Sequence, residues 1–272
     1  MKVIIPLAGF GTRLRPHTWS KPKPLVNVAG KPVLGHILDK LVGLDVEEIV
    51  FVTGYLGEQI EAYVSSHYDF PARYVEQKEL KGQAHALHLT RDHVEGPVLI
   101  IFVDTIFETD LGDLASAPGD GVLYVKRVED PRRFGVVVLD NGWVTRLIEK
   151  PTSYEHNLAV IGVYYLRDSA WLMRAIDELI RLGTPKDGEY YLADALQLMV
   201  ARVINSIVGP YVTLADEGVI KNSIVRDSII DERSHIEHAM LSGSLIGRDA
   251  RVSGAFERLN VGDSSEVRIA EG

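Results

Sequence analysis

The chain has no cysteine, no long apolar run and no excess of basic charge. Without cysteine there is no disulfide framework, which fits a reducing compartment. The longest apolar stretch, VLIIFV at 98–103, is far too short to cross a bilayer. The opening MKVIIPLAG lacks the apolar core and small-residue cleavage site of a secretory leader, so a cytoplasmic protein with no membrane partner is expected. A formal net charge of −9 argues against a nucleic-acid binder, because following a phosphate backbone needs a surplus or a stripe of Lys and Arg. The nine histidines show no metal-ligand spacing. What is present is ordinary for a soluble globular protein, with 46% hydrophobic and 25% charged residues in 272, enough for one large domain or two unequal ones.

The first half alternates short β-branched runs with helical patterns: KVIIPL, KPVLGHILDKLVGL, EIVFVTG, a helix around 58–66, ARYVEQ, a helix over 84–93, and PVLIIFVD. This βαβ cadence, with strands apolar throughout, predicts a parallel sheet covered on both faces. Strand-like runs GVLYVKRV, FGVVVLD, WVTRLIEK and LAVIGVYYL follow, with DNG at 140–142 reading as a hairpin turn. Two helices, 169–181 and 190–203, close the first region.

The tail repeats. Apolar residues fall at Val208, Leu214, Ile220, then Ile224, Ile230, Ile236, then Met240, Ile246, Val252, spacings of six, six and four that recur with a sixteen-residue period. Such a short apolar repeat is the signature of a β-solenoid, since antiparallel strand pairs would not keep one phase through three blocks. The phase is lost after 256, where a cap or frayed end is expected. Three coils are few for an acyltransferase, which normally carries many.

The opening loop LAGFGTRLRPHTWSKPKPL, 7–25, follows directly on an apolar strand. Gly9 and Gly11 let backbone N–H groups converge on one point without Cβ clashes, which favours an anion. Arg13 offers a planar fork for phosphate oxygens, and Lys23 adds a compact charge from the far end of a loop stiffened by Pro16, Pro22 and Pro24. So much positive charge suits a triphosphate better than a single phosphate. A dinucleotide fingerprint would need glycine at position 14, which is leucine, and Gly-Lys-Ser/Thr of a P-loop is also missing. The runner-up enzyme class, a Rossmann oxidoreductase, is disfavoured by that missing glycine.

LAG, GTRL, Pro16, SKPKPL and Gly30-Lys31-Pro32, in this order, resemble the signature of the sugar nucleotidyltransferases, and similar motifs run to Leu196. The resemblance implies an α/β, Rossmann-like mixed-sheet domain over 1–203, followed over 204–272 by a short left-handed parallel β-helix of the hexapeptide-repeat type. It implies that Gly9, Gly11 and Arg13 hold a nucleoside triphosphate, that Lys23 reaches its phosphates or the transition state, and that Gln77 and Gly82 in EQKELKGQAHAL read the base. By its residue type alone Gln77 would be an exposed polar side chain. Asp104 follows the strand VLIIFV, where open α/β sheets bind ligands, and the resemblance makes it a ligand of Mg²⁺. The family's Gly-Asp is Val103-Asp104 here. On the acceptor side the resemblance implicates Gly135, Glu149, Lys150 and Gly162. Glu149 would accept sugar hydroxyls and Lys150 would pair with the sugar phosphate.

The implied reaction joins a sugar 1-phosphate, glucose 1-phosphate by preference, to a nucleoside triphosphate, dTTP first and UTP next, and releases pyrophosphate. A homo-oligomer assembled through the solenoid is expected. One family feature is missing: the Trp-x-Asp-x-Gly segment, whose aspartate is a second carboxylate on the metal, has no counterpart near 203. Its absence leaves an alternative, a catalytically impaired nucleotide-sugar-binding regulatory or scaffold subunit.

Overall fold

A computed structural model describes residues 1–112, 114–140, 142–183, 185–200, 202–204, 206–208, 211–215, 217–255 and 260–268. Two compact units emerge: 1–137 with 147–195, and 138–146 with 196–272.

The first unit is built on a mixed sheet of β1 (Lys2–Pro6), β2 (Glu48–Thr53), β3 (Ala72–Glu76), β4 (Val98–Ile101), β5 (Gly121–Arg127), β6 (Gly135–Asp140), β7 (Trp143–Glu149) and β8 (Leu158–Leu166). Their order is β3-β2-β1-β4-β8-β6-β7, and β5 also pairs with β8. The first four are mutually parallel, while β8 runs antiparallel to β4, β5 and β6. The apolar strands explain the parallel half: Val3, Ile4 and Ile5 of β1, and all four residues of β4, are fully buried. Residues facing both ways can be apolar only when both faces are covered.

Helices α1 (Val33–Asp39), α2 (Gly57–His67), α3 (Gln83–His88), α4 (Ser169–Leu182) and α5 (Leu192–Met199) accompany the sheet. α4 shows the logic most plainly. Leu172, Met173, Ile176 and Leu179 recur at three- and four-residue spacing and are buried. The Asp168 carboxylate accepts from Ala170 N–H at 2.8 Å, and Gly183, at φ 63°, ends the helix in the left-handed region. The helix expected over 84–93 is shorter, with α3 followed by a 3₁₀ turn at Arg91–His93.

In the second unit short parallel strands stack in three columns. One runs Arg202–Ile204, Val219–Lys221, then His235 to Glu237, Arg251 to Ser253 and Glu266–Arg268; a second joins Ile207–Val208, Ile224–Arg226 and Met240 to Ser242; the third joins Thr213–Leu214, Ile229–Ile230, Leu245–Ile246 and Asn260–Val261. Residues in the left-handed backbone region recur at the corners between columns, as at Asn222 and His238, Asp227 and Gly243, Arg233 and Asp249. Inside the corners sit nearly buried serines. Ser223 Oγ donates to Lys221 O at 2.7 Å and accepts Ala239 N–H of the next coil at 3.0 Å; Ser228 does the same with Arg226 O and Ser244 N–H, at 2.7 and 3.1 Å. Small hydroxyls thus satisfy backbone groups that a tight turn would leave unpaired.

Two expectations need correction. The helix expected to reach 203 stops at Met199, and Arg202–Ile204 is already a strand of the first column. The hairpin 138–146 also groups with this second unit, so a single boundary at 203 does not describe the division. The inward-facing set is also one residue off in one column: Val208 pairs with Val225, and Val225 with Leu241. Val225 and Leu241 are buried, while Ile224 and Met240 are 40% and 56% exposed. Neighbouring residues of a strand point to opposite faces, so of the two apolar residues Ile224 and Val225 only one enters the core. The Asn141 of the expected DNG turn, and 256–259 and 269–272 of the expected cap, lie outside the described residues.

Candidate functional site

A cleft of about 870 Å³ opens in the first unit, where the carboxyl ends of β1, β3 and β4 deliver their loops. This is where open α/β sheets bind ligands. Seven of the residues singled out from the sequence line it: Gly9, Gly11, Arg13, Lys23, Gln77, Gly82 and Asp104.

The basic loop is folded back on itself at Gly11. At φ 60° Gly11 opens the 3₁₀ turn Thr12–Leu14, and a Cβ there would lie 2.9 Å from Lys23 Cβ and 3.1 Å from Thr18 Cγ2. Buried Thr18 donates from Oγ1 to Gly11 O at 2.9 Å. Of the loop's four cationic residues, Arg13 and Lys23 line the cleft. Gly9 differs, since a Cβ there would meet no protein atom within 4 Å. Arg13 is exposed. Lys23 Nζ stands 3.9 Å from Asp104 Oδ2, at the limit of an ion pair, with 36% and 62% of the two side chains exposed. Asp104 lies three residues beyond the end of β4 and begins no helix.

Gln77 overturns the expectation of an exposed side chain, being only 6% exposed. Its N–H continues the β2–β3 ladder by donating to Thr53 O at 2.8 Å, which directs the side chain inward. Its Nε2 lies 3.3 Å from Gly82 O and 3.0 Å from His85 Nδ1. Gly82, at φ 95° and ψ −177°, is packed against the segment 189–190: Tyr190 N–H donates to Lys81 O at 2.8 Å and Ala84 N–H to Tyr190 O at 2.9 Å. Glu189 lines the cleft beside it.

Gly135, Glu149, Lys150 and Gly162 are not among the residues lining the cleft. Gly135, Glu149 and Gly162 sit on the adjoining strands β6, β7 and β8, and Lys150 directly follows β7. A Cβ on Gly135 would lie 3.0 Å from Glu149 Oε2. Burial pushes the Glu149 carboxyl up from its usual range, against the opposing effect of Lys150. Lys150, in the left-handed region at φ 47°, reaches Tyr191 Oη at 2.5 Å and lies 4.4 Å from the ring centre. That hydrogen bond is the main reason its pKa is raised. Gly162, at φ 84°, interrupts the β8–β5 register and accepts Phe102 N–H at 2.8 Å, and Phe102 lines the cleft. Burial is the main cause that pushes the hydroxyl of buried Tyr164 up, with smaller contributions from the charges of Glu149 and Asp104.

Sequence reasoning passed over His85 and Tyr191, and weighed Glu189 as structural or near the sugar without assigning it to the site. The segments KGQAHAL and GEYYLADAL hinted at them, but only folding sets 189–191 against Gly82 and Lys150.

An open, mixed α/β sheet with a cleft at the carboxyl ends of its parallel strands defines an α/β class of protein that binds ligands at that edge. The model of the family described as Nucleotidyl transferase matches residues 2–206, and the chain belongs to that family. It is 37% identical over 218 residues, 76% of this chain and 87% of the relative, to UTP--glucose-1-phosphate uridylyltransferase AglF of Haloferax volcanii. It is 28% identical to glucose-1-phosphate thymidylyltransferase of Streptomyces griseus, across 99% of this chain and 100% of the relative. That alignment has 360 positions for a chain of 272, so the relative carries many residues with no counterpart here. The chain spans only 47% of a further relative, the bifunctional protein GlmU of Methanocaldococcus jannaschii, at 36% identity over 74% of this chain. In fold it matches a UDP-glucose pyrophosphorylase solved with UDP-glucose, at TM-score 0.63 and 24% identity, over 72% of this chain and 85% of that one. Among the described residues no helix is long and apolar enough to cross a membrane.

Proposed function

We propose that the protein transfers a nucleotidyl group from UTP or dTTP to a sugar 1-phosphate, with glucose 1-phosphate the preferred acceptor. The observation that carries this reading is the gathering of Gly9, Gly11, Arg13, Lys23, Gln77, Gly82 and Asp104 around one cleft. A sugar phosphate oxygen attacks the α-phosphorus, the bond to the β-phosphate oxygen breaks, and pyrophosphate leaves. The acceptor is already ionised, so the chain's task is to align the reactants and neutralise charge. Gly9 and Gly11 let backbone approach the triphosphate, and Arg13 and Lys23 balance its charge. Gln77 and Gly82 meet the base. Glu149 accepts sugar hydroxyls, Lys150 meets the sugar phosphate, and Gly135 and Gly162 leave room for the sugar beside them.

Among the described residues no three His, Cys, Asp or Glu side chains gather as a ready-made metal cage. An exposed carboxylate beside a triphosphate nevertheless fits Mg²⁺, which keeps water and phosphate oxygens as most of its ligands. Asp104 would hold it, and the ion would neutralise phosphate charge.

The same reading places the protein in the cytoplasm. It also makes the second unit a left-handed β-helix, supported by its short sides and left-handed corners, and it assigns self-association to that unit. Support for the last comes from the outward apolar residues Ile224, Ile229, Met240 and Leu245, each 40% to 56% exposed.

The deciding experiment measures pyrophosphate release from UTP and dTTP with and without glucose 1-phosphate. Release that depends on the sugar phosphate is the expected result, and nucleotide hydrolysis indifferent to it would overturn the reading. The lack of a ready-made metal cage among the described residues and the long unmatched stretches of the S. griseus relative favour a second reading, a nucleotide-sugar-binding subunit with impaired chemistry. Tight nucleotide binding with no turnover would select it.

A further inference from the structure

His85 of α3 has no part in the reading above, yet it touches the residue assigned to the base. Gly82 O can only accept a hydrogen bond, so the Gln77 atom facing it is the amide nitrogen. The same nitrogen lies 3.0 Å from His85 Nδ1, which must then be the unprotonated, accepting nitrogen. Both Gln77 amide hydrogens are thereby used inside the protein. Its Oε1 receives no donor among the described residues and is not buried without a partner, while Gln77 lines the cleft.

We infer that His85 is a positioning residue for base selection: in its neutral form it fixes the Gln77 amide with the oxygen free for a ligand N–H, so the cleft prefers an imide base, uracil or thymine, over cytosine. Cytosine presents an acceptor where the imide presents N–H, and a buried site built around one pattern rejects the other because a polar atom is left unpaired.

Protonation of His85 breaks the arrangement. If the amide stays, Nδ1–H faces N–H. If it turns, Oε1 faces the Gly82 oxygen. Either way the preference erodes. The charged groups acting on the ring are Lys81, on the loop after β3, and His88, one turn along α3, which oppose protonation, and Glu79, on the same loop as Lys81, which favours it. Burial is the largest influence and holds the pKa below its usual 6.5, so the neutral form prevails at neutral pH.

The inference rests on the nucleotidyl reading, and the test separates the two. Calorimetry measures dissociation constants of UTP and CTP for the full chain between about pH 5 and pH 8, in the usual histidine range. Protonation of the triphosphate is common to both ligands and cancels in their ratio, and protonation of cytosine N3 toward pH 5 is common to the parent and His85→Phe and cancels between their two profiles. In the parent protein the CTP-to-UTP ratio should be about tenfold or more at pH 8 and fall toward unity on acidification. His85→Phe should give a small ratio with no pH dependence. A parent ratio independent of pH, or a His85→Phe profile like the parent's, overturns the role of His85 while leaving the transferase reading standing. Should His85→Phe not fold, His85→Leu supplies the reference profile. Failure of both nucleotides to bind at any pH overturns the transferase reading and this inference with it.

Discussion

Replacing Gly82 by alanine puts a methyl group where backbone already lies. The new Cβ would stand 2.7 Å from both Tyr190 N and Tyr190 O and 2.9 Å from Glu189 Cβ. Real carbon contacts are longer, and a backbone held by hydrogen bonds on both sides, Tyr190 to Lys81 and Ala84 to Tyr190, cannot swing away as a side-chain tip can. The conformation adds to the cost. At φ 95°, ψ −177° the residue occupies a region that is essentially glycine's alone, costing other residues roughly 1–3 kcal/mol. Overpacking contributes about 1–3 kcal/mol more, so the loss should be about 2–6 kcal/mol, or roughly 5–20 °C in Tm for a unit of this size. Gly9→Ala is the control from the same cleft: with no protein atom within 4 Å of its Cβ, the Tm should hold while triphosphate affinity falls. Scanning calorimetry reads the first effect and titration with UTP the second. A Gly82→Ala protein melting within about 1 °C of the parent would refute the packing argument, since even 1 kcal/mol should show as about 2–4 °C.

Arg13→Ala should lower turnover by about a hundredfold with unchanged Tm, because an exposed, oriented cation is removed without a hole in the core; steady-state pyrophosphate release measures it. Leu241→Ala should cost about 2–5 kcal/mol in the second unit and Met240→Ala less than about 0.5 kcal/mol, one neighbour being buried and the other exposed; equal effects in urea titrations would contradict the inward column. Glu149→Gln should raise Tm at neutral pH. A carboxyl whose folded pKa is raised contributes its stability below the unfolded value near 4.5 and loses it as pH rises through the folded value, so the gain should vanish on acidification and can be followed by melting at a series of pH values.

The strands, the helices and the loop that lines the cleft were legible in the sequence because each is a local matter. Apolar residues on both faces announce a buried parallel strand, as in VLIIFV. Gly9, Gly11, Arg13 and Lys23 make the loop a candidate anion site because backbone freedom and positive charge are written residue by residue. The sixteen-residue tail period likewise announces stacked coils. Tertiary structure decided whatever depends on which side of the chain a residue shows and on what comes to meet it. The period alone could not choose between Ile224 and Val225, since a one-residue slip turns a strand over and both are apolar. Nothing local says that Gln77 is buried, that Tyr190 leaves no room beside Gly82, or that Tyr191 meets Lys150. Those facts depend on segments distant in the chain packing together, and the energy that fixes them is contributed by groups that do not share a stretch of sequence.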